Sequence, residues 1–248
     1  MASPIEFEQI QAKLDEDSQV REEIRNIVQT LERQARSTES ILSRVHSIPQ
    51  ANLSETLNEV YGAISKQRET IAQLNELTSE HPYYKYNQMW SKRMETASFH
   101  LVLWGFLCSY AKGFNGPEGM LYPIEEIGRL LGIPVMLKET DAFHLTIEEY
   151  LLSLILLIDE LARLAVNSVT LGDYQVPLQI SQFVKDLHAG FQILNLKNDT
   201  LRRRSDSIKY SVKKIEDVVY DLSLRNLVPR ATQEAAQAPP TEQGTMPD

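Results

Sequence analysis

The sequence predicts an all-α fold, a single-domain antiparallel bundle of about six long helices and one or two short ones. Three observations point there. Glycine is sparse, 10 in 248 residues, against ordinary usage near ~7%. Apolar residues recur three and four apart over long stretches, the spacing of one helix face. The run Leu151-Leu152-Ser153-Leu154-Ile155-Leu156-Leu157-Ile158 is apolar but for one serine. A helix apolar on nearly every face belongs at the centre of a fold, because any exposed side would leave large apolar area in water.

The elements follow in order. A first helix begins near Pro4, suited to a first turn, carries Ile24, Val28, Leu31, Ile41 and Val45 as its apolar stripe, and stops before Pro49. Its other faces hold Arg21, Arg25, Arg33, Arg36 and Arg44, either a solvated surface or part of a binding one. Asn52 caps a second helix through Leu57, Val60, Ile64, Ile71 and Leu74, which His81-Pro82 ends. The short Pro-containing link makes these two an antiparallel hairpin. A third helix starts in Pro82-Tyr83-Tyr84-Lys85-Tyr86-Asn87-Gln88-Met89-Trp90-Ser91-Lys92-Arg93 and turns apolar through Leu107, with His100 and Cys108 as core residues. Gly113–Gly119 is a turn-rich loop without the Gly-Lys-Ser/Thr of a phosphate loop. A short helix over Ile124–Leu131 ends at Gly132. Thr146 and Glu149 form a capping box for the central helix, on which Asp159 and Arg163 make an i,i+4 pair. Pro177 opens the next helix, through Ile180, Phe183, Val184, Leu187, Phe191 and Leu194. Asn198 or Asp199 caps the last one, where Leu201, Ile208, Ile215 and Leu222 recur every seven residues. Such a seam needs a partner helix, in its own subunit or another. Residues 1–228 form the domain, and 229–248, without a hydrophobic pattern, form a disordered tail.

Net charge of −9 argues against a globally electrostatic nucleic-acid binder, though not against a local basic face. A single cysteine, Cys108, excludes an internal disulfide and fits a reducing compartment, cytoplasmic or nuclear. No basic-then-apolar leader opens the chain, so secretion is not expected. The Leu151–Ile158 run is far shorter than the ~18–20 residues of a bilayer span, so no membrane association is expected.

Two stretches mix the residue types that bind single-stranded nucleic acid. In Tyr83–Arg93, rings can stack on bases while Lys85, Lys92 and Arg93 offset phosphate charge. The competing reading is that Tyr83, Tyr86 and Trp90, three and four apart, form a buried stripe. Arg202-Arg203-Arg204 is the second, read as the first turn of a long helix, where three cations oppose the macrodipole and call for an anion.

These stretches resemble the translin family. Arg21-Glu22-Glu23-Ile24-Arg25, Tyr83–Tyr86 with Trp90, Phe143-His144-Leu145, Leu161–Tyr174, Gly190–Asp199 and Lys213–Leu222 carry the resemblance, which covers roughly Ile5 to Arg225. It implies a bundle of about seven helices that assembles into a hollow octamer and binds single-stranded RNA and DNA. It also implies a partnership with a paralogue, translin-associated factor X, whose Mg²⁺-dependent endoribonuclease activity is linked to RNA silencing and, in fungi, to tRNA processing. The nucleic-acid set is then Arg21, Arg25, Lys85, Tyr86, Asn87, Trp90, Lys92, Arg93, Arg202, Arg203 and Arg204, and the oligomer seam Leu201, Ile208, Ile215 and Leu222. The nuclease paralogue holds its metal with four carboxylates. At the matching positions this chain has Lys92, Glu95, Leu156 and Glu160, so only Glu95 and Glu160 remain as catalytic candidates and no metal or other cofactor is expected. The chain is thus expected to be the binding subunit. Two alternatives are a metal-dependent single-stranded RNA endonuclease in its own right and a helical scaffold without a nucleic-acid role.

Overall fold

A computed structural model of the chain describes residues 4–111, 121–137, 141–197 and 199–228. The loop 113–119, Asn198 and the tail 229–248 lie outside the described residues. Nine α-helices run through the described part: α1 (Pro4–Ser43), α2 (Leu53–Thr78), α3 (Tyr83–Tyr86), α4 (Ser91–Ala111), α5 (Ile124–Leu131), α6 (Ile147–Thr170), α7 (Val176–Ile193), α8 (Asp199–Ser205) and α9 (Ile208–Leu224). Seven of them have eight residues or more, as the expected bundle requires. One parallel bridge, Val135 with Leu145, is the extended pairing among the described residues. No helix among them is long and apolar enough to cross a membrane. The described residues fall into two compact units, divided inside α6 between Leu157 and Ile158.

In the first unit α1 packs on α2 and α4, and α2 on α4 and α5. The α1–α2 hairpin is antiparallel, since its partners recede together from the link: Arg44 with Glu59, Gln67 with Thr38, Gln34 with Thr70. Ile24, Leu31 and Val45 of the expected α1 stripe are buried, as are Leu57, Val60, Ile64, Ile71 and Leu74 of α2. The chain tightens into a 3-10 turn at Arg44–Ser47 before Pro49, and Asn52 takes the N-cap position of α2 without a side-chain bond. His100 lies wholly inside, its Nδ1 against the Gln67 amide at 3.2–3.3 Å and its Nε2 3.7 Å from Glu39. That neighbour holds the Glu39 carboxyl below its ordinary value.

The aromatic segment does not run into one continuous helix. α3 lasts one turn, Asn87–Met89 forms a 3-10 turn, and α4 starts afresh at Ser91. This break lets Tyr83, Tyr86 and Trp90 all turn inward. α5 ends at Gly132, whose φ of 74° closes a left-handed cap that a β-carbon would strain.

α6 starts on the expected capping box. The Thr146 N–H donates to Glu149 Oε2 at 2.9 Å, and the Glu149 N–H donates to Thr146 Oγ1 at 3.1 Å. Burial pushes the Glu149 carboxyl up from its ordinary 4.5, against the pull of hydrogen bonds from Thr146 and Ser91. The folded chain therefore keeps this proton where the unfolded chain has released it. The resulting stability is present below the unfolded value and is lost as pH rises through the raised folded one. Glutamine keeps the reciprocal cap and has no charge to bury. Glu149→Gln should therefore raise Tm at neutral pH by more than at acid pH. Thermal scans across that range check this, and an equal shift at both ends would refute it.

In the second unit α7, with Pro177 in its first turn, packs on α9. Lys185 of α7 pairs with Glu216 of α9 at 3.1 Å. Three expectations are corrected here. Asp159 does not pair with Arg163: it accepts from the Ser211 hydroxyl at 2.7 Å, leaving Arg163 to Glu160 at 3.4 Å. The last long helix is broken, because the Ser207 N–H and hydroxyl both donate to the Arg204 carbonyl, at 3.1 and 2.6 Å, ending α8 at Ser205. Arg202–Arg204 therefore occupy a last turn, where cations favour the macrodipole rather than oppose it. The seam Leu201, Ile208, Ile215 and Leu222 is buried within the single chain. With its partner surface in its own subunit, it is not the oligomer seam.

Candidate nucleic-acid interface

Asp17 organises the basic end of the first unit. Its Oδ2 accepts from Arg21 Nε at 2.8 Å, one turn along α1, and its Oδ1 accepts from Lys85 Nζ and from the Tyr86 hydroxyl, each at 2.6 Å. The Arg21 guanidinium carbon and Lys85 Nζ lie 5.1 and 4.9 Å from the centre of the Tyr86 ring, within cation–π range. These three donors hold the Asp17 carboxyl well below the usual carboxylate range, while Asp17 raises both Arg21 and Lys85. Asp17, Arg21 and Lys85 all reach solvent, with side chains 24%, 41% and 47% exposed.

Arg25 is exposed on α1. Arg93 approaches Glu32 of α1 at 3.8 Å, and exposed Lys92 binds buried Glu95 at 2.6 Å. A cation thus occupies one of the two residual catalytic carboxylates. The other, Glu160, is half-buried beside Arg163. No group of three or more His, Cys, Asp or Glu residues suited to a metal occurs among the described residues. In the second unit Arg202 and Arg203 are exposed and Arg204 half-buried.

Tyr86 and Trp90 are 2% and 0% exposed, so neither presents a ring face to a base, which corrects both as stacking residues. Trp90 packs with Tyr83 at 5.8 Å and Phe143 at 5.4 Å, and Tyr83 with His144 at 4.5 Å. These rings are the core that anchors Phe143-His144-Leu145. Asn87 is half-buried, and the Tyr83 hydroxyl donates to the His144 carbonyl at 3.4 Å. The exposed ring is Tyr84, 69% accessible beside Lys85. Its position was readable: a stripe through 83, 86 and 90 turns residue 84 about 100° away from 83. Asp17 was readable too, one turn before Arg21. Its bonds to Lys85 and Tyr86 join residues 68 and 69 positions apart and carry no local signal.

Residues 19–226, spanning both units, match the profile of the Translin family. The chain belongs to the Translin family. Within it, the chain is 40% identical over 235 residues to the Translin of Gallus gallus, covering 91% of this chain and 94% of that protein. It is 24% identical over 238 residues to the Translin-associated protein X of Mus musculus, covering 91% of this chain and 80% of that one. Among solved structures, the crystal structure of apo-NeC3PO matches with a TM-score of 0.56 at 16% identity, over 89% of this chain and 97% of that one. That likeness is one of fold.

Proposed function

We propose that this chain is the non-catalytic, single-stranded RNA- and DNA-binding subunit of a hollow homo-oligomer or mixed assembly. In the mixed form it supports a paralogue of the translin-associated protein X type, which supplies Mg²⁺-dependent endoribonuclease activity. RNA silencing and tRNA processing, in cytoplasm or nucleus, are the processes this reading assigns. The observation that carries it is the contrast in identity, 40% to a Translin against 24% to a Translin-associated protein X over matches of similar length. The occupation of Glu95 by Lys92 agrees with it. Exposed Arg25, Lys85, Lys92, Arg202 and Arg203 supply cations on a chain of net charge −9, and assembly multiplies such local patches by symmetry.

Fluorescence anisotropy with a short labelled single-stranded RNA tests it. Wild-type binding should weaken as salt rises. Replacing Arg202, Arg203 and Arg204 with alanine should flatten the log K–log salt slope by about 2, near ~0.7 for each phosphate no longer neutralised. Tyr84→Ala should cost about 1–3 kcal/mol of binding if one base stacks there, with no loss of Tm. Salt-independent or absent binding by the assembled wild-type protein would sink the reading. An unchanged slope in the arginine variant would remove α8 from the interface.

A further inference from the structure

We propose that Asp17 is an internal stand-in for a nucleic-acid phosphate, filling an anion site formed by Arg21, Lys85 and the Tyr86 hydroxyl that a backbone phosphate must take over in order to bind. The inference rests on the single-strand-binding reading and adds a regulation of it.

The donor set is that of an oxyanion site. A guanidinium N–H, an ammonium and a phenolic O–H from two separate elements, α1 and α3, converge on one carboxylate at 2.6–2.8 Å. Charge-assisted bonds of this length are among the strong ones, and a phosphate oxygen accepts them as a carboxylate oxygen does. The site does not depend on Asp17 for its shape. The Tyr86 ring is locked in the core, edge-on to His81 at 5.8 Å, so the direction of its hydroxyl is set by packing. Arg21 and Lys85 rest against that ring as well as on the carboxylate, a second contact that does not run through Asp17. Both cations are nearly half exposed, so an incoming phosphate has an approach.

Charge decides what Asp17 does. With it in place, two cations and one anion leave a net +1 for the strand; once it is displaced, both cations face the phosphate. The bonds from Lys85, Tyr86 and Arg21 hold the Asp17 carboxyl well below the usual carboxylate range, and a competing anion is what opens the site. A strand competes well because its other phosphates are already held nearby, which raises the effective concentration of the next one.

The test compares wild type, Asp17→Asn, Lys85→Ala and Asp17→Asn/Lys85→Ala of the full chain, by anisotropy with a short labelled oligouridine over a range of salt. Asparagine still accepts a hydrogen bond from Lys85 or Tyr86, and circular dichroism with Tm confirms folding. Asp17→Ser repeats the measurement should the asparagine variant not fold. The expected result is several-fold tighter binding by Asp17→Asn, with the salt slope steeper by about 0.7, one further phosphate neutralised. The gain should vanish in the Lys85→Ala background. Unchanged or weaker binding by a folded Asp17→Asn overturns the inference while leaving the single-strand-binding reading intact, and makes Asp17 a brace between α1 and α3. Tighter binding without a steeper slope overturns it also. If neither wild type nor variant binds in a salt-dependent way, both ideas fall.

Discussion

Trp90→Ala should cost about 3–5 kcal/mol of folding stability, the range for truncating a fully buried large aromatic. The indole is 0% exposed, wedged between Tyr83 and Phe143. Its backbone carbonyl takes the first N–H groups of α4, from Arg93 at 2.7 Å and Met94 at 3.0 Å. Truncation leaves a cavity where the aromatic segment, α4 and the Phe143 strand-like turn meet. A domain of ordinary stability holds only about 5–15 kcal/mol in all, so much of the fold is at stake. Urea or thermal denaturation measures the loss. The contrast with Tyr84→Ala makes the result decisive, since that neighbour is solvent-exposed and should lose RNA affinity without losing Tm. A Trp90→Ala protein with unchanged Tm and lost RNA binding would return the indole to the interface.

Ile215→Ala should destabilise the chain by about 2–5 kcal/mol, and the loss should not depend on protein concentration. Ile215 sits at the middle of the seven-residue seam on α9 and is 1% exposed in the single chain. Had the seam joined two subunits, the substitution would act on assembly, and Tm would shift with concentration by mass action. Equilibrium unfolding at several protein concentrations separates the two. Intact monomer stability with a dissociated oligomer would restore the seam to an intersubunit role.

The parts of the fold that were legible in the sequence are those written in adjacent residues. The capping box at Thr146 and Glu149, the glycine stop at Gly132 and the proline in the first turn of α7 each rest on chemistry within four positions, and each is found where expected. What the sequence hid depends on partners far along the chain. Arg163 has carboxylates at both three and four residues' distance, equivalent on a helix surface. Ser211, 52 positions away, engages Asp159 and settles the choice. The α8–α9 break is invisible to a heptad, because Leu201 and Ile208 keep their seven-residue spacing across it. Ser207 also resembles any mid-helix serine until its hydroxyl turns back to Arg204. In the candidate interface the cations were legible as types. Which of them Asp17 neutralises, and which ring faces water, were decided by packing.

The length of α1 has a consequence of its own. At 40 residues it extends about 60 Å, while the 26 residues of α2 extend about 39 Å. Counting back from the Gln34–Thr70 bond, α2 ends at Thr78, level with Asn26. The preceding turns of α1 have no α2 beside them. Asp17 ties them to α3, and beyond it Phe7, Ile10 and Leu14 face water in a row. The part of α1 before Asp17, residues 4–16, is short enough to be marginal as an isolated helix in water. The bond at Asp17 is therefore a clasp as well as a charge: it fixes the point at which α1 meets α3, and the apolar side chains of Phe7, Ile10 and Leu14 lie beyond it in water.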